Sequence, residues 1–191
     1  LLFGGSPAIF DLRYETTPMG AIETSMLTAA AAEIGRRLGL PTQGYIALSD
    51  AKALDAQAGL ETGIGATLAA LAGIDNVSGP GMLDFESCQS LEKLVVDHEI
   101  CRMAERLGAG IEAREDFPAR PLPEELLAEK HLLIADHTRR HLRAELSFPG
   151  PVLDRRGATL GGRAAAEVDR VIAAFEPSRI PGETRRELER V

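Results

Sequence analysis

The first 110 residues alternate short apolar runs with longer amphipathic stretches. Three units follow the same order: an apolar run, a loop rich in Gly, Ser and Asp, and a stretch with helical apolar spacing. The predicted strands are Leu1–Phe3, Gln43–Leu48 and Ile74–Ser78, and the predicted helices cover about 21–38, 59–72 and 87–107. Strands that alternate with helices at this spacing indicate right-handed β-α-β crossovers and a parallel sheet.

The apolar positions also indicate how the helices pack. The first helix carries Leu27, Ile34 and Leu38 at helical spacing, and its small residues from Thr28 to Ala32 predict close contact with the sheet. The third helix has two apolar stripes: one can cover the sheet, and the second predicts a neighbouring helix or subunit, although a fully buried core helix fits equally well. The stripes are Val96, Ile100, Met103 and Leu107, and Leu91, Leu94, Val95 and Cys101.

The pattern changes after Gly110. Asp116–Pro123 contains three prolines, which predicts a connector. Helices are then predicted over about 123–144, as one or two, over Gly157–Phe175, and in the Arg- and Glu-rich end after Pro181. We therefore divide the chain into a partial β/α barrel at 1–110 and a helical C-terminal tail at 111–191 that packs on the barrel.

Three β/α units cannot close a barrel, because closure of a TIM-type (β/α)8 barrel takes eight strands. The predicted fold is therefore the C-terminal portion of such a barrel plus a helical tail. The open sheet edge predicts homo-oligomerisation or association with the missing barrel half. An upstream segment of roughly 250–300 residues would supply that half.

Composition narrows the class of protein. Hydrophobic residues make up 45% of the chain, which excludes a disordered protein, and the net charge of −8 argues against binding nucleic acid. No apolar run approaches the roughly 20 residues of a membrane span. The first 110 residues hold 7 basic and 14 acidic residues, which suits a cationic substrate or simply a solvated surface. Cys88 and Cys101, both in the third helical pattern, predict reduced thiols in a cytoplasmic protein.

Candidate functional groups lie in the loops after the strands, where parallel barrels gather their active-site residues. The segment from Ser49 to Glu61 holds three carboxylates, a lysine and an amide. Asp55 fits a helix-capping role better than a catalytic role. Lys52 could form a Schiff base as in barrel aldolases, but an ion pair with Asp50 or Asp55 is the simpler interpretation.

Other motifs carry weaker signals. Gly63 and Gly65 lie inside a predicted helix without a third glycine, so we reject a dinucleotide site. His137 and His141 have a spacing compatible with metal binding, but helix capping or tail packing is favoured, and no metal site is predicted. His98 lies beside an apolar stripe, which predicts an interior histidine.

Several segments resemble the trimethylamine methyltransferase family, over most of residues 1–156. They are Gly5–Asp11 with Gly20–Glu23, Ser49–Glu61, Ala69–Gly73 with Gly79–Leu83, Ser90–Val95 with Asp97–Ile100, and His137–His141. The resemblance implies an enzyme that moves a methyl group from a methylated amine to the cobalt of a corrinoid (cobalamin) carried by a partner protein. The expected partners are therefore that corrinoid protein and a small methylated amine.

The resemblance also bears on substrate and site. Archaeal members carry pyrrolysine where this chain aligns Leu48, so no pyrrolysine is expected here, and the chain is similar to the non-pyrrolysine, glycine betaine methyltransferase-like branch. The expected substrate is a quaternary amine, and carboxylates and aromatic faces would hold its cation. Tyr14 and Phe85 are further aromatics near the loops, and catalytic residues stay unassigned. The expected substrate-binding residues are Tyr45, Leu48, Ser49, Asp50, Gln57, Glu61, Asp84 and Glu86.

Two alternatives from other classes stay open. The chain could be a non-catalytic partial barrel, or one chain of a split enzyme, that acts as a binding or assembly module. It could also be an aldolase-type barrel that depends on Lys52.

Overall fold

A small parallel sheet carries the first half of the protein. The computed structural model describes residues 2–113, 121–154, 157–176 and 182–190. Strands β1 (Phe3–Gly5), β2 (Thr42–Gly44) and β3 (Asn76–Val77) pair in the order β1-β2-β3, and both pairings are parallel. The predicted parallel sheet is therefore confirmed, and its architecture is compatible with a portion of a barrel.

Helices alternate with these strands as predicted. Helix α1 (Ile22–Arg37) follows β1, helix α2 (Ala56–Ala72) follows β2, and helix α3 (Leu91–Gly108) follows β3. A hairpin that the sequence did not predict, with antiparallel strands β4 (Met82–Leu83) and β5 (Cys88–Gln89), lies between β3 and α3. The three β/α units thus keep their predicted order.

The second strand is shorter than the prediction of Gln43–Leu48. Strand β2 ends at Gly44, and the chain enters a loop in which Ala47 has a left-handed backbone, with φ of +64°. A left-handed residue interrupts a strand. The first strand is shifted to Phe3–Gly5, and Leu1 lies outside the described residues.

The observed starts of helices α2 and α3 differ from the predicted ones because of local contacts. Helix α2 begins at Ala56, three residues before the predicted start, because the Asp55 side chain accepts a hydrogen bond from the Ala58 N–H at 3.1 Å. The capping role expected of Asp55 is confirmed. Helix α3 begins at Leu91 instead of Ser87, because β5 precedes it and Ser90 caps it. Cys88 therefore lies in an exposed strand, and its placement in a helix was wrong.

Small side chains face the sheet along helix α1. Thr24, Thr28 and Ala32 are buried, which confirms the close contact predicted from the small-residue run. A Cβ on Gly35 would lie 2.7 Å from the Phe3 ring and 2.8 Å from the Thr42 methyl group. The helix therefore lies so close to the sheet that only glycine fits at this position. The large apolar residues of α1 and α2 point outward instead: Leu27, Ile34, Leu38, Leu60, Ile64 and Leu71 are all exposed.

Helix α3 packs on two neighbours. Ala104 meets Ala47 and Ala66 on the α2 side, while Val96 meets Val152 and Ala164 of the tail. The second neighbour predicted for this helix is therefore a helix of the same chain. Neither predicted stripe is buried throughout, because its outer members Leu91, Leu94, Met103 and Leu107 are exposed. His98 is also exposed, so the prediction of an interior histidine was wrong.

The tail consists of short helices. They are α4 (Pro121–Glu129), α5 (Asp136–Glu145), a 3-10 turn (Pro151–Leu153), α6 (Leu160–Ala173) and α7 (Gly182–Leu188). The predicted connector overlaps α4 at 121–123, and its first part lies outside the described residues. Glu99 of α3 accepts the Gly150 N–H at 2.9 Å and so ties the tail to α3. No helix in the described ranges is both long enough and apolar enough to span a membrane.

Candidate functional site

The loops after the three parallel strands meet at one edge of the sheet. Asp50, after β2, accepts hydrogen bonds from the backbone N–H groups of Met19 and Gly20 in the loop after β1, each at 2.9 Å. The Ser49 N–H donates to the Met82 carbonyl, and the Asp84 N–H donates to the Ala51 carbonyl, at 3.3 and 3.0 Å. Side chains expected to form a site are thus held together by backbone groups.

Asp50 occupies the junction of these loops. Both of its hydrogen bonds reach the same oxygen, Oδ1, from the loop after β1. Burial raises the pKa of Asp50, and the neighbouring carboxylate of Glu61 raises it further, against the lowering effect of the Gly20 and Met19 N–H groups. A cation placed beside Asp50 would favour its ionised form.

Glu61 fixes the loop after β2. Its Oε2 accepts the Ser49 hydroxyl at 2.6 Å and the Asp50 N–H at 2.8 Å, and its Oε1 accepts the Gln57 amide at 2.8 Å. A Cβ on Gly20 would lie 2.5 Å from Oε2, so only glycine allows the first loop to approach this carboxylate so closely. Four of the predicted residues, Ser49, Asp50, Gln57 and Glu61, therefore form one hydrogen-bonded unit.

The turn between β4 and β5 places two more of the predicted carboxylates near the loop after β2. Asp84, Phe85 and Glu86 are consecutive, and all have left-handed backbones, with φ of 50°, 56° and 74°. Such backbones are strained for residues other than glycine and often mark functional loops. Burial raises the pKa of Glu86, and Asp50 raises it further, so their carboxylates lie within electrostatic range.

Lys52 extends from the loop toward solvent. Its ammonium lies 3.9 Å from the Asp84 carboxylate, and its side chain is 80% exposed. The predicted ion pair with Asp50 or Asp55 was therefore wrong, because the hairpin that the sequence did not predict brings Asp84 nearer. An exposed lysine lacks the desolvated surroundings that activate Schiff-base lysines.

A cavity of about 520 Å³ opens beside Asp50 and Glu61. Its remaining wall comes from the first loop and the start of α1: Ile9, Phe10, Asp11, Leu12, Arg13, Pro18, Ala21 and Glu23. The sequence analysis did not select Phe10 or Glu23, although the loop after β1 was already assigned to the functional edge. The cavity therefore combines carboxylates with aromatic and aliphatic side chains, and its lining arginine, Arg13, is paired with Asp11 at 2.7 Å.

The other predicted aromatic and apolar residues are not among those that line this cavity. The ring of Tyr14 is exposed and already holds the Arg13 guanidinium, 5.5 Å from the ring centroid. Tyr45 is half-buried, and Leu48 is completely buried in the loop after β2.

A buried ion pair adds residues that the sequence analysis missed as functional candidates. Lys93 and Asp97 lie one turn apart on α3 with exposures of 0% and 1%, and the Lys93 ammonium donates to the Asp97 carboxylate. Lysine and aspartate at a spacing of four residues usually form a solvated surface pair, so the sequence gives no signal of this burial.

Neither the glycine pair nor the histidine pair that the sequence analysis rejected lines the cavity. Gly63 and Gly65 lie inside helix α2, as expected. His137 and His141 are neighbours on α5, with ring centroids 4.8 Å apart. Within the described ranges, no group of three or more potential metal ligands comes together.

Comparison with known proteins identifies the family of this chain. The family model described as trimethylamine methyltransferase matches residues 1–191. A trimethylamine methyltransferase of Methanosarcina thermophila is 39% identical over 114 residues, which is 60% of this chain and 24% of that protein. A glycine betaine methyltransferase of Desulfitobacterium hafniense is 31% identical over 159 residues, which is 83% of this chain and 33% of that protein. The chain thus spans about a quarter to a third of the length of these relatives, and it belongs to the trimethylamine methyltransferase family.

Proposed function

We propose that the natural full-length protein is a methyltransferase that moves a methyl group from a quaternary amine to the cobalt of a corrinoid on a partner protein. The observation that carries the proposal is the cavity at the loop edge, whose lining combines Asp50 and Glu61 with apolar and aromatic residues of the first loop. Carboxylates neutralise an ammonium charge, and apolar and aromatic surfaces accommodate its methyl groups. Relatives named as trimethylamine and glycine betaine methyltransferases support the same reaction class.

The two carboxylates have different roles in this proposal. Glu61 already accepts three hydrogen bonds from Ser49, Asp50 and Gln57, so it positions the loop. Among the described residues, the hydrogen bonds to the Asp50 side chain reach Oδ1, and we assign Oδ2 to the ammonium group. Glu86 adds negative charge from the hairpin, since its pKa responds to Asp50.

The reaction asks little covalent chemistry of this chain. The carbon–nitrogen bond breaks, its electron pair stays on nitrogen, and a neutral tertiary amine leaves. The reduced cobalt supplies the electron pair for the new bond to the methyl carbon. A quaternary amine requires no proton transfer, so the chain's residues need only bind the cation, align its methyl group and exclude water.

The fold supports a larger assembly. The three parallel β/α units fit the last part of a (β/α)8 barrel, because their loops carry the site at the edge where such barrels gather functional residues. We place the remaining barrel units in the natural full-length protein or in an associated chain.

A quaternary amine is preferred to trimethylamine in this proposal. Protonated trimethylamine keeps an N–H that needs a hydrogen-bond partner when buried, whereas a quaternary nitrogen has no such group. The position aligned with pyrrolysine is Leu48, an apolar and buried side chain. That position therefore supplies no pyrrolysine chemistry, and the preference for a quaternary amine rests on the missing N–H, because Leu48 does not line the cavity.

The test is cobalt methylation followed by absorbance with the natural full-length protein and its reduced corrinoid partner. Glycine betaine, proline betaine or carnitine should react faster than trimethylamine. Asp50→Asn should lower kcat/KM by about tenfold to a hundredfold, because a buried cation loses its counter-charge. Glu33→Gln, which changes an exposed carboxylate of α1, is the matched control and should leave the rate unchanged.

Each other outcome is informative. Trimethylamine as the best substrate would contradict the preference for an amine without an N–H group. Unchanged rates in Asp50→Asn and Glu61→Gln would remove both residues from the site. Absence of methyl transfer from every amine tested would favour a non-catalytic binding or assembly module.

A further inference from the structure

A fully buried ion pair joins the two helices nearest the site to the hairpin. The Lys93 ammonium donates to Asp97 Oδ2 on the same helix and, at 2.8 Å, to Thr62 Oγ1 on α2. Asp97 Oδ2 also accepts the N–H of Gly81, at 2.7 Å, just before β4 begins. The pair therefore contacts α2, α3 and the start of the hairpin at once.

Each segment touched by the pair leads directly to a carboxylate of the site. Thr62 follows Glu61 on α2, so the ammonium of Lys93 is anchored one residue from the group that fixes the loop after β2. Gly81 leads through β4 to the turn that contains Asp84 and Glu86. The pair thus links the position of Glu61 to that of the hairpin carboxylates.

The backbone at Gly81 is shaped for this contact. Its φ is +89°, a conformation that side chains other than glycine rarely adopt, and its N–H reaches Asp97 from that conformation. A Cβ at Gly81 would lie 2.5 Å from the Gln89 amide nitrogen and 3.3 Å from the Leu94 Cβ. The start of the hairpin is therefore closely confined between Asp97, Gln89 and Leu94.

Stability alone does not account for the two charges. Burying a lysine and an aspartate carries a desolvation cost that well-packed apolar residues of similar volume avoid. The α2–α3 contact already has such residues, since Ala66 and Ala104 belong to one apolar cluster. We infer that Lys93 and Asp97 are positioning residues that hold the hairpin carboxylates in register with Glu61. This inference rests on the proposed function, whose substrate those carboxylates would bind.

The test replaces both charges together, so that neither is left buried alone. Lys93→Met with Asp97→Leu should keep the unfolding midpoint close to that of the unmodified full-length protein. The KM for the quaternary amine should rise by about tenfold or more, with kcat changed less, because misplaced carboxylates bind the cation poorly. Amide hydrogen exchange over residues 81–86 should also become faster, since the Gly81 N–H loses its acceptor.

The matched control removes an exposed ion pair. Glu33→Gln with Arg37→Gln on α1 should change neither KM nor exchange at residues 81–86. If the buried double variant keeps the unmodified protein's KM and exchange, the inference is overturned and the pair is only structural.

If the double variant does not fold, a milder variant tests the same inference. Thr62→Val removes one acceptor of the Lys93 ammonium while keeping the side-chain shape. Faster exchange at residues 81–86 in this variant supports the inference, and unchanged exchange contradicts it. If the unmodified protein transfers no methyl group from any amine, the proposed function fails, whereas the exchange comparison still decides whether the pair positions the hairpin.

Discussion

At Asp50, two opposing influences act on a single carboxyl group. Burial and the neighbouring carboxylate of Glu61 raise its pKa, while the N–H groups of Gly20 and Met19 lower it, and the raising effects prevail. The folded protein therefore holds a proton on Asp50 more tightly than the unfolded chain does. Without a bound cation, this group lowers stability as pH rises through its raised pKa, whereas a cation would stabilise the ionised form.

Binding of a permanent cation should therefore weaken as the pH falls. Tetramethylammonium does not titrate, so a change in its affinity reports protein groups, chiefly Asp50 and Glu86, whose pKa values are both raised. Calorimetry between about pH 8 and pH 5 should show lower affinity at the acidic end. The Asp50→Asn variant should bind more weakly throughout, with a shallower pH dependence. Equal affinity at both ends of the range in the unmodified protein would argue against a carboxylate site.

The sequence predicted the contacts that residues make with near neighbours in the chain, but not those with distant residues. Asp55 caps the helix that begins immediately after it, and this role follows from position alone. The partners of Asp50 lie 30 and 31 residues away, in a loop without regular structure. The predicted parallel sheet placed these two loops at one edge, but no periodicity relates the segments, so only the structure reveals which groups bond.

Among the secondary-structure elements, helices α1 and α2 show the reverse of simple amphipathicity. Their buried positions carry Ala, Gly, Ser and Thr, and most of their large apolar residues are exposed. Apolar periodicity located α1 and α2 within a few residues of their observed bounds, because any stripe reveals a helix. It could not show which face is buried, since close packing of Gly35 on the sheet and of Gly65 on the loop after β2 selects small residues.

Two glycines of helix α2 should respond oppositely to the same substitution. A Cβ at Gly63 meets nothing within 4 Å, so Gly63→Ala should stabilise the protein by about 0.5–1 kcal/mol through helix propensity. A Cβ at Gly65 would lie 2.7 Å from the Ala47 backbone nitrogen. Gly65→Ala should therefore destabilise the protein by about 1–3 kcal/mol through overpacking. Urea unfolding of both variants checks the pair, and equal effects would contradict the inward orientation of Gly65.

At the scale of the whole molecule, the outward-facing apolar residues of α1 and α2 form a solvent-exposed apolar surface. Ile22, Leu60, Ile64 and Leu68 line one continuous groove between α1 and α2, and Leu60 is 63% exposed. Contiguous apolar surfaces of this kind mark association sites or aggregation hazards. The prediction of a partial barrel located exposed surface at the open sheet edge, and the structure adds this groove on the helices.

The 191-residue chain by itself should therefore self-associate. Sedimentation should show oligomers that dissociate on dilution, and the double variant Leu60→Lys with Ile64→Lys should shift the distribution toward monomer. Leu127→Lys, at an exposed position on α4, is the control and should leave the distribution unchanged. A monomer at every concentration of the unmodified chain would contradict the prediction.

The hairpin turn between β4 and β5 has a consequence for how this protein can diversify. Backbone groups fix its base, through Met82 to Ser49, Asp84 to Ala51 and Ser90 to Gly81, and these bonds do not depend on side-chain identity. Phe85 and Glu86 at the tip can therefore be exchanged by mutation while the ladder persists. Substitutions at these two positions should therefore change substrate preference during evolution while the surrounding β/α units keep their stability.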